Sequence, residues 1–91
     1  MKIGLISDTH SFFDIQLRSY FSDCDEIWHA GDFGAIQVAE ELKKIAPLRG
    51  VYGNIDGQEI RKHYPLHLRF TCEGIDVWMT HIGGIPVNLV A

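Results

Sequence analysis

The sequence predicts an α/β fold: a parallel sheet built from β-α-β-α-β, followed by a β-hairpin. Three observations predict it. Short apolar runs alternate with segments of helical periodicity up to residue 64. Each apolar run ends in a polar or glycine-containing dyad. Residues 66–81 then switch to two-residue alternation around a tight turn. Strands alternating with helices give parallel pairing through crossover connections, and the change of period marks the hairpin.

Residues 2–7 read as a buried strand, ending abruptly in Ser7, Asp8, Thr9 and His10. In "SFFDIQLRSYF", Ser11 and Asp14 fit a capping box, and Phe13, Leu17, Tyr20 and Phe21 recur at helical spacing. "EIWHAGD" at 26–32 is a second short strand closed by a carboxylate. Residues 35–46 form the clearest helix: Ala35, Val38, Ala39, Leu42 and Ala46 make its apolar face, Glu40, Glu41, Lys43 and Lys44 its wet one, and Pro47 ends it. "LRGVYGN" at 48–54 is a third strand, and "GQEIRKHY" holds a short helix before Pro65. In "LHLRFTC", Leu66, Leu68, Phe70 and Cys72 face one way while His67, Arg69 and Thr71 face the other. Glu73-Gly74 makes the turn, and "IDVWMTH" returns as the partner strand. No repeat, low-complexity segment or linker interrupts this order.

Composition sets the class. The chain has 91 residues, 46% hydrophobic and 22% charged, which suits one small globular domain. A domain of this size buries only about 60–65% of its unfolded surface, so its stability is marginal. The net charge of −4, without a Lys/Arg cluster, lacks the footprint of a nucleic-acid groove and does not favour an anionic membrane. No stretch is long enough to span a bilayer, and "MKIGLISDTH" lacks a signal-peptide cleavage pattern. Cys24 and Cys72 have no metal-like spacing. The expected setting is cytoplasmic, with two free thiols.

The strand ends carry the chemistry. Strand one delivers Asp8 and His10, strand two Asp32, strand three Asn54, and the last hairpin strand His81. Ligands of open α/β sheets bind outside the carboxyl ends of the strands, so these residues are expected at one edge. Taken singly, each has a plain reading: Asp8 and Asn54 as turn residues, His10 and His81 as satisfied polar groups. Together, two carboxylates, two imidazoles and an amide oxygen suit divalent ions such as Mn²⁺, Fe²⁺ or Zn²⁺. A carboxylate can bridge two ions about 3.5–4 Å apart, the usual arrangement for cleaving phosphate esters. Gly31, Gly34, Gly53, Gly57, Gly83 and Gly84 surround the candidates and permit sharp turns. His29 reads as structural, with a supporting role behind the ligands as the alternative, His63 and His67 as surface residues, Trp28 and Trp78 as core or interface, and the cysteines as small hydrophobes. A phosphoryl-aspartate hydrolase is set aside, because position 10 is His where D-x-D would require Asp.

"DTH", "GD" after an apolar strand, "GN" after the next, and "THIGG" resemble the calcineurin-like metallophosphoesterases, in particular the small single-domain phosphodiesterases of bacteria and archaea. The motifs span residues 8 to 84. The resemblance implies an α/β sandwich of two sheets. It implies that Asp8 and His10 bind a first metal, that Asp32 bridges both, that Asn54 binds the second metal and touches the phosphate, and that His81 binds the second metal. Asp32 and Asn54 are thus the implied catalytic residues. The implied reaction is phosphodiester hydrolysis by a hydroxide that two divalent ions activate, Mn²⁺ first among Mn²⁺, Fe²⁺, Zn²⁺ and Ni²⁺.

The chain departs from that pattern twice. Larger members carry His after the "GN" asparagine; here it is Ile55, which cannot give a proton, so diesters or good leaving groups are expected. Asp56 remains as an orienting residue behind the ligands. The family's "GHTH"-like segment has no counterpart in "GGIPVNLVA". About half of the usual domain, including most of the second sheet, is therefore expected to be absent, leaving an apolar face for another copy or a partner. The alternatives to an enzyme acting on a small phosphoester are an impaired fragment and a metal-independent interaction scaffold, a role that some relatives have as trafficking subunits.

Overall fold

The structure, a computed structural model, describes residues 1–82 and 85–90, with side chains described for residues 1–81. Gly83 and Gly84 of the "THIGG" motif lie outside the described residues.

The element order is β1 (Ile3–Ile6), α1 (Leu17–Tyr20), β2 (Glu26–His29), α2 (Ile36–Lys43), β3 (Leu48–Gly50), α3 (Gln58–His63), β4 (His67–Cys72), β5 (Ile75–Ile82) and β6 (Ile85–Val90). Strands β1, β2 and β3 form a parallel sheet in that order, with Ile6 opposite His29 and His29 opposite Gly50. The three strands therefore finish level, and their exit loops share one edge. Strands β4, β5 and β6 form a separate antiparallel sheet. The hairpin is thus a second layer with three described strands.

Each layer has its own contribution to burial. Val38, Ala39 and Leu42 of α2 cover one face of the parallel sheet with Ile27, Phe33, Ile60 and Tyr64. Trp28, Ala30 and Val51 on its other face meet Val77 and Met79 of β5, with Leu68 and Phe70 of β4 against them. Burying the apolar faces of both sheets against each other is what joins them. The β4 alternation holds, with Leu68, Phe70 and Cys72 half-buried between exposed neighbours. Cys72 stands opposite Ile75 and Glu73 has φ 50°, Gly74 φ 79°, the backbone of a two-residue type I′ turn.

The first helix is shorter than its periodicity predicts. Ser11 does not cap it, because Ser11 is left-handed at φ 69° and its amide donates to the Phe33 carbonyl. Asp14 instead forms the turn ahead of the helix, its carboxylate accepting the Gln16 amide and its carbonyl the Leu17 amide, and the helix opens at Gln16 without a side-chain cap. Phe13, Leu17 and Phe21 pack on the core, whereas Tyr20 is exposed. Trp28 is buried while Trp78 is 44% exposed, and His63 and His67 are exposed. Among the described residues no helix is long and apolar enough to cross a membrane.

Candidate metal centre

The centre starts from two loops that cross each other. After β1, the Asp8 amide donates to the Gly31 carbonyl (2.9 Å), the His10 amide to Asp32 (3.1 Å) and the Ser11 amide to Phe33 (2.7 Å). The β1 loop is thereby laced along the β2 loop. Asp8, His10 and Asp32 all have left-handed φ values of 56°, 48° and 60°. Such conformations cost roughly 1–2 kcal/mol per non-glycine residue, so the lacing must over-determine them. The geometry turns Asp8 and Asp32 towards each other and towards β5.

His81 arrives from the second sheet. Its Nδ1 lies 2.8 Å from the Ala30 carbonyl, which can only accept, so Nδ1 carries a proton. Nε2 is left facing the carboxylates, 3.2 Å from Asp32 Oδ2 and 3.9 Å from Asp8 Oδ1. Asp8, Asp32 and His81 each offer one ligand atom, and these atoms lie within 4.8 Å of one another. His10 stands at the rim, its Nε2 3.7 Å from Asp8 Oδ1 and 3.6 Å from Asp32 Oδ2. Burial works against ionisation of Asp8. The Ser7 hydroxyl, the neighbouring His81 imidazole and hydrogen bonding with Asp32 outweigh it, and the carboxyl is held below the usual range.

The β3 loop closes the third side. Gly53 presses its Cα on Asp32: a Cβ there would sit 2.0 Å from Asp32 Oδ1 and 2.4 Å from the Asp32 nitrogen. Only glycine fits. The next amide but one, of Ile55, donates to Asp32 Oδ1 at 3.1 Å. Asn54, exposed, stands between these two contacts. Asp56 is 3% exposed and returns the bond in the opposite direction: its carboxylate accepts the amides of Phe33 (3.1 Å), Gly34 (2.8 Å) and Gly53 (2.9 Å). Asp32 and Asp56 therefore latch the two loops reciprocally, and Asp56 touches backbone rather than the ligand side chains.

A divalent ion fits this set. Imidazole and carboxylate ligands at about 2.0–2.2 Å from one ion stand at most about 4.4 Å apart, close to the observed spread. Two carboxylates side by side repel unless a cation lies between them. The His81 lone pair is oriented for one by the Ala30 carbonyl, the support that metal-binding histidines commonly have. Asp32 presents only Oδ2, because Ile55 holds Oδ1.

The sequence model of the calcineurin-like phosphoesterase superfamily domain matches residues 1–91. The chain belongs to this superfamily. A "Probable metallophosphoesterase" of Methanothermobacter thermautotrophicus (strain Delta H) is 34% identical over 90 residues, covering 89% of this chain and 49% of the relative. The chain thus spans about half the length of that curated relative. Among solved structures, Vps29 of Chaetomium thermophilum matches with a TM-score of 0.73 at 16% identity, over 87% of this chain and 45% of the other. A Vps29 single mutant from Entamoeba histolytica matches at 0.76 and 12% identity, over 93% and 50%. A conserved uncharacterized protein ("predicted phosphoesterase") of Streptococcus pneumoniae TIGR4 matches at 0.60 and 25% identity, over 87% and 44%. The Vps29 likenesses establish the calcineurin-like fold alone.

Within this calcineurin-like frame, Asp8, Asp32 and His81 come together, His10 sits beside them, and Asn54 lies exposed on the β3 loop between Gly53 and Ile55. Thr9 is a residue beside the site that sequence reasoning passes over, and His29, read there as structural, is its partner. Thr9 Oγ1 lies 3.1 Å from His29 Nε2, between two ligand-bearing loops. The one signal for Thr9 is its place between Asp8 and His10.

Proposed function

We propose that the chain is a metal-dependent phosphoesterase that hydrolyses phosphodiesters using two divalent ions. The observation that carries this reading is the convergence of Asp8, Asp32 and His81 from three separate strands onto a space the size of one ion. Bound divalent ions supply a nucleophile acidic enough at neutral pH and neutralise charge on phosphoryl oxygens. Asp8 and His10 would hold the first ion, Asn54 and His81 the second, and Asp32 would serve both. The Asn54 amide would also orient a phosphoryl oxygen. Mn²⁺ leads Fe²⁺, Zn²⁺ and Ni²⁺ for this oxygen and nitrogen set, and the working compartment is the cytoplasm. Ile55 contributes its backbone amide to Asp32, but its side chain offers no proton. Substrates with leaving groups that need no protonation are therefore favoured.

The deciding experiment is hydrolysis of bis-p-nitrophenyl phosphate by the 91-residue chain, with Mn²⁺ or EDTA, beside Asp32→Ala. Turnover that needs Mn²⁺ and falls at least a hundredfold in Asp32→Ala is expected. Metal-loaded protein that turns over no phosphoester, in a form extended to its relatives' length, defeats the reading.

One observation favours a second reading, an interaction scaffold. An apolar cleft of about 340 Å³ lies between β1 and the β4–β5 turn, lined by residues including Met1, Ile3, Leu5, Trp28, Ile75 and Val77. Leu5 is 51% exposed there, as association through a second copy or a partner would require. Association that survives EDTA, measured by sedimentation, distinguishes this reading.

A further inference from the structure

We propose that Thr9 and His29 are positioning residues, forming one directional hydrogen-bond relay that locks the Asp8–His10 loop onto the loop carrying Asp32. For its bearing on metal uptake the proposal rests on the reading above; the relay itself stands on geometry.

His29 closes β2 and has no exposed surface. Its ring stacks on Phe33, centroids 3.7 Å apart and planes within 11°. Each ring nitrogen meets a hydrogen-bonding group. The Gly31 amide, which can only donate, lies 3.1 Å from Nδ1, so Nδ1 is bare. The neutral ring then carries its proton on Nε2 and donates it to Thr9 Oγ1. The Thr9 hydroxyl in turn donates to the Phe33 carbonyl at 3.0 Å. An obligatory donor at one end and an obligatory acceptor at the other fix the direction throughout. Burial, which pushes the His29 imidazole down to about 4 against the pull of Asp56 and Asp8, keeps the ring in the neutral form this direction requires.

Thr9 is the residue between two candidate ligands, and both of those are in left-handed backbone. The backbone lacing holds the loop along its length, while the Thr9 hydroxyl is the side-chain anchor that pins it to buried polar groups. A residue of the same shape without the hydroxyl would leave the His29 Nε2–H and one bond of the Phe33 carbonyl without a partner in the interior. Such groups are costly to strand, so the loop must move to satisfy them. A histidine that only filled the core would need neither polarity nor Thr9.

Three measurements on the 91-residue chain test this. Long-range ¹⁵N–¹H NMR of the histidine rings should show His29 neutral with its proton on Nε2 at pH 7; the other tautomer or a charged ring overturns the relay. Amide hydrogen exchange without metal should be at least tenfold faster at His10 and Ser11 in Thr9→Val, with the α2 amides as internal reference and Thr9→Ser within about twofold of wild type. Unchanged exchange in Thr9→Val also overturns it. Titration with Mn²⁺ should show Thr9→Val weakened about ten- to a hundredfold, as for supporting groups behind metal ligands, with Thr9→Ser restoring affinity. Equal Mn²⁺ affinity in Thr9→Val removes the positioning role. A wild-type chain that takes up no Mn²⁺ sinks the metal reading instead, and the first two measurements still decide the relay. Should Thr9→Val fail to fold, the wild-type ring decides it: a proton on Nε2 upholds the relay, and a proton on Nδ1 or a charged ring overturns it.

Discussion

The two sheets deliver their candidate ligands in opposite ways. The antiparallel sheet contributes His81 from within β5, one residue past the Thr80–His67 pair that ends the ladder to β4 and inside the register shift between Met79 and Ile82 in the ladder to β6, and a single carbonyl, Ala30, sets the ring. The parallel sheet contributes Asp8, His10, Asp32 and Asn54 from loops just past its strand ends. There no ladder operates. Left-handed backbone at Asp8, His10 and Asp32 is held by loop-to-loop amide bonds and by the reciprocal Asp32–Asp56 latch. Loop ligands can be aimed where a strand cannot point, but they need buried polar supports, and substitutions should hurt them unequally.

Three tests sharpen that contrast, the largest effect first. Gly53→Ala should cost about 3 kcal/mol or more in urea unfolding and abolish Mn²⁺ uptake, because its methyl would meet the Asp32 backbone and carboxylate. Its counterpart in the other sheet, Gly74→Ala, meets nothing within 4 Å and should cost only about 1 kcal/mol, from its φ of 79°. Equal costs would erase the distinction between the sheets. Asp56→Asn should follow, at about 2–3 kcal/mol, since a buried carboxylate that accepts three amides becomes a group with donors of its own. Hydrogen exchange should then quicken at Phe33, Gly34 and Gly53 while the β5 amides within the ladder to β4 keep their protection.

The third test is acid. His29 is held at about 4 in the folded chain against an ordinary 6.5. Between those values the unfolded chain binds a proton that the folded chain refuses. Stability from this source is therefore complete above about pH 6.5 and falls as the pH drops, by about 2 kcal/mol at pH 5. Urea unfolding at pH 7 and pH 5 should show this loss in wild type and not in His29→Asn. A wild type whose stability is flat over that range contradicts the buried neutral ring.

Much of the site is legible because local rules write it into the chain. Asp8, His10, Asp32 and Asn54 follow apolar runs too short to be anything but strand ends, and parallel strands in register must finish together. The first helix falls short of its pattern for a physical reason: apolar spacing extends back to Phe13, but the Ser11 amide is spent on the Phe33 carbonyl, a contact no periodicity reports. Asp56 is expected as an orienting group, yet its partners are three backbone amides of two loops. Thr9 and His29 have no local signature, since a relay between loops joins residues far apart in sequence.

The sequence by itself determined the strand–helix alternation, the tight hairpin turn at Glu73-Gly74 and the chemical kinds of the candidate ligands. These depend on side-chain period, turn preference and residue type, all of which act over a few neighbours. Only the tertiary structure decided that the hairpin forms a second layer rather than extending the first, and so brought His81 Nε2 to 3.2 Å from Asp32. That placement follows from Val77 and Met79 burying themselves against Trp28, Ala30 and Val51, a contact between distant apolar faces that no short stretch of the chain contains.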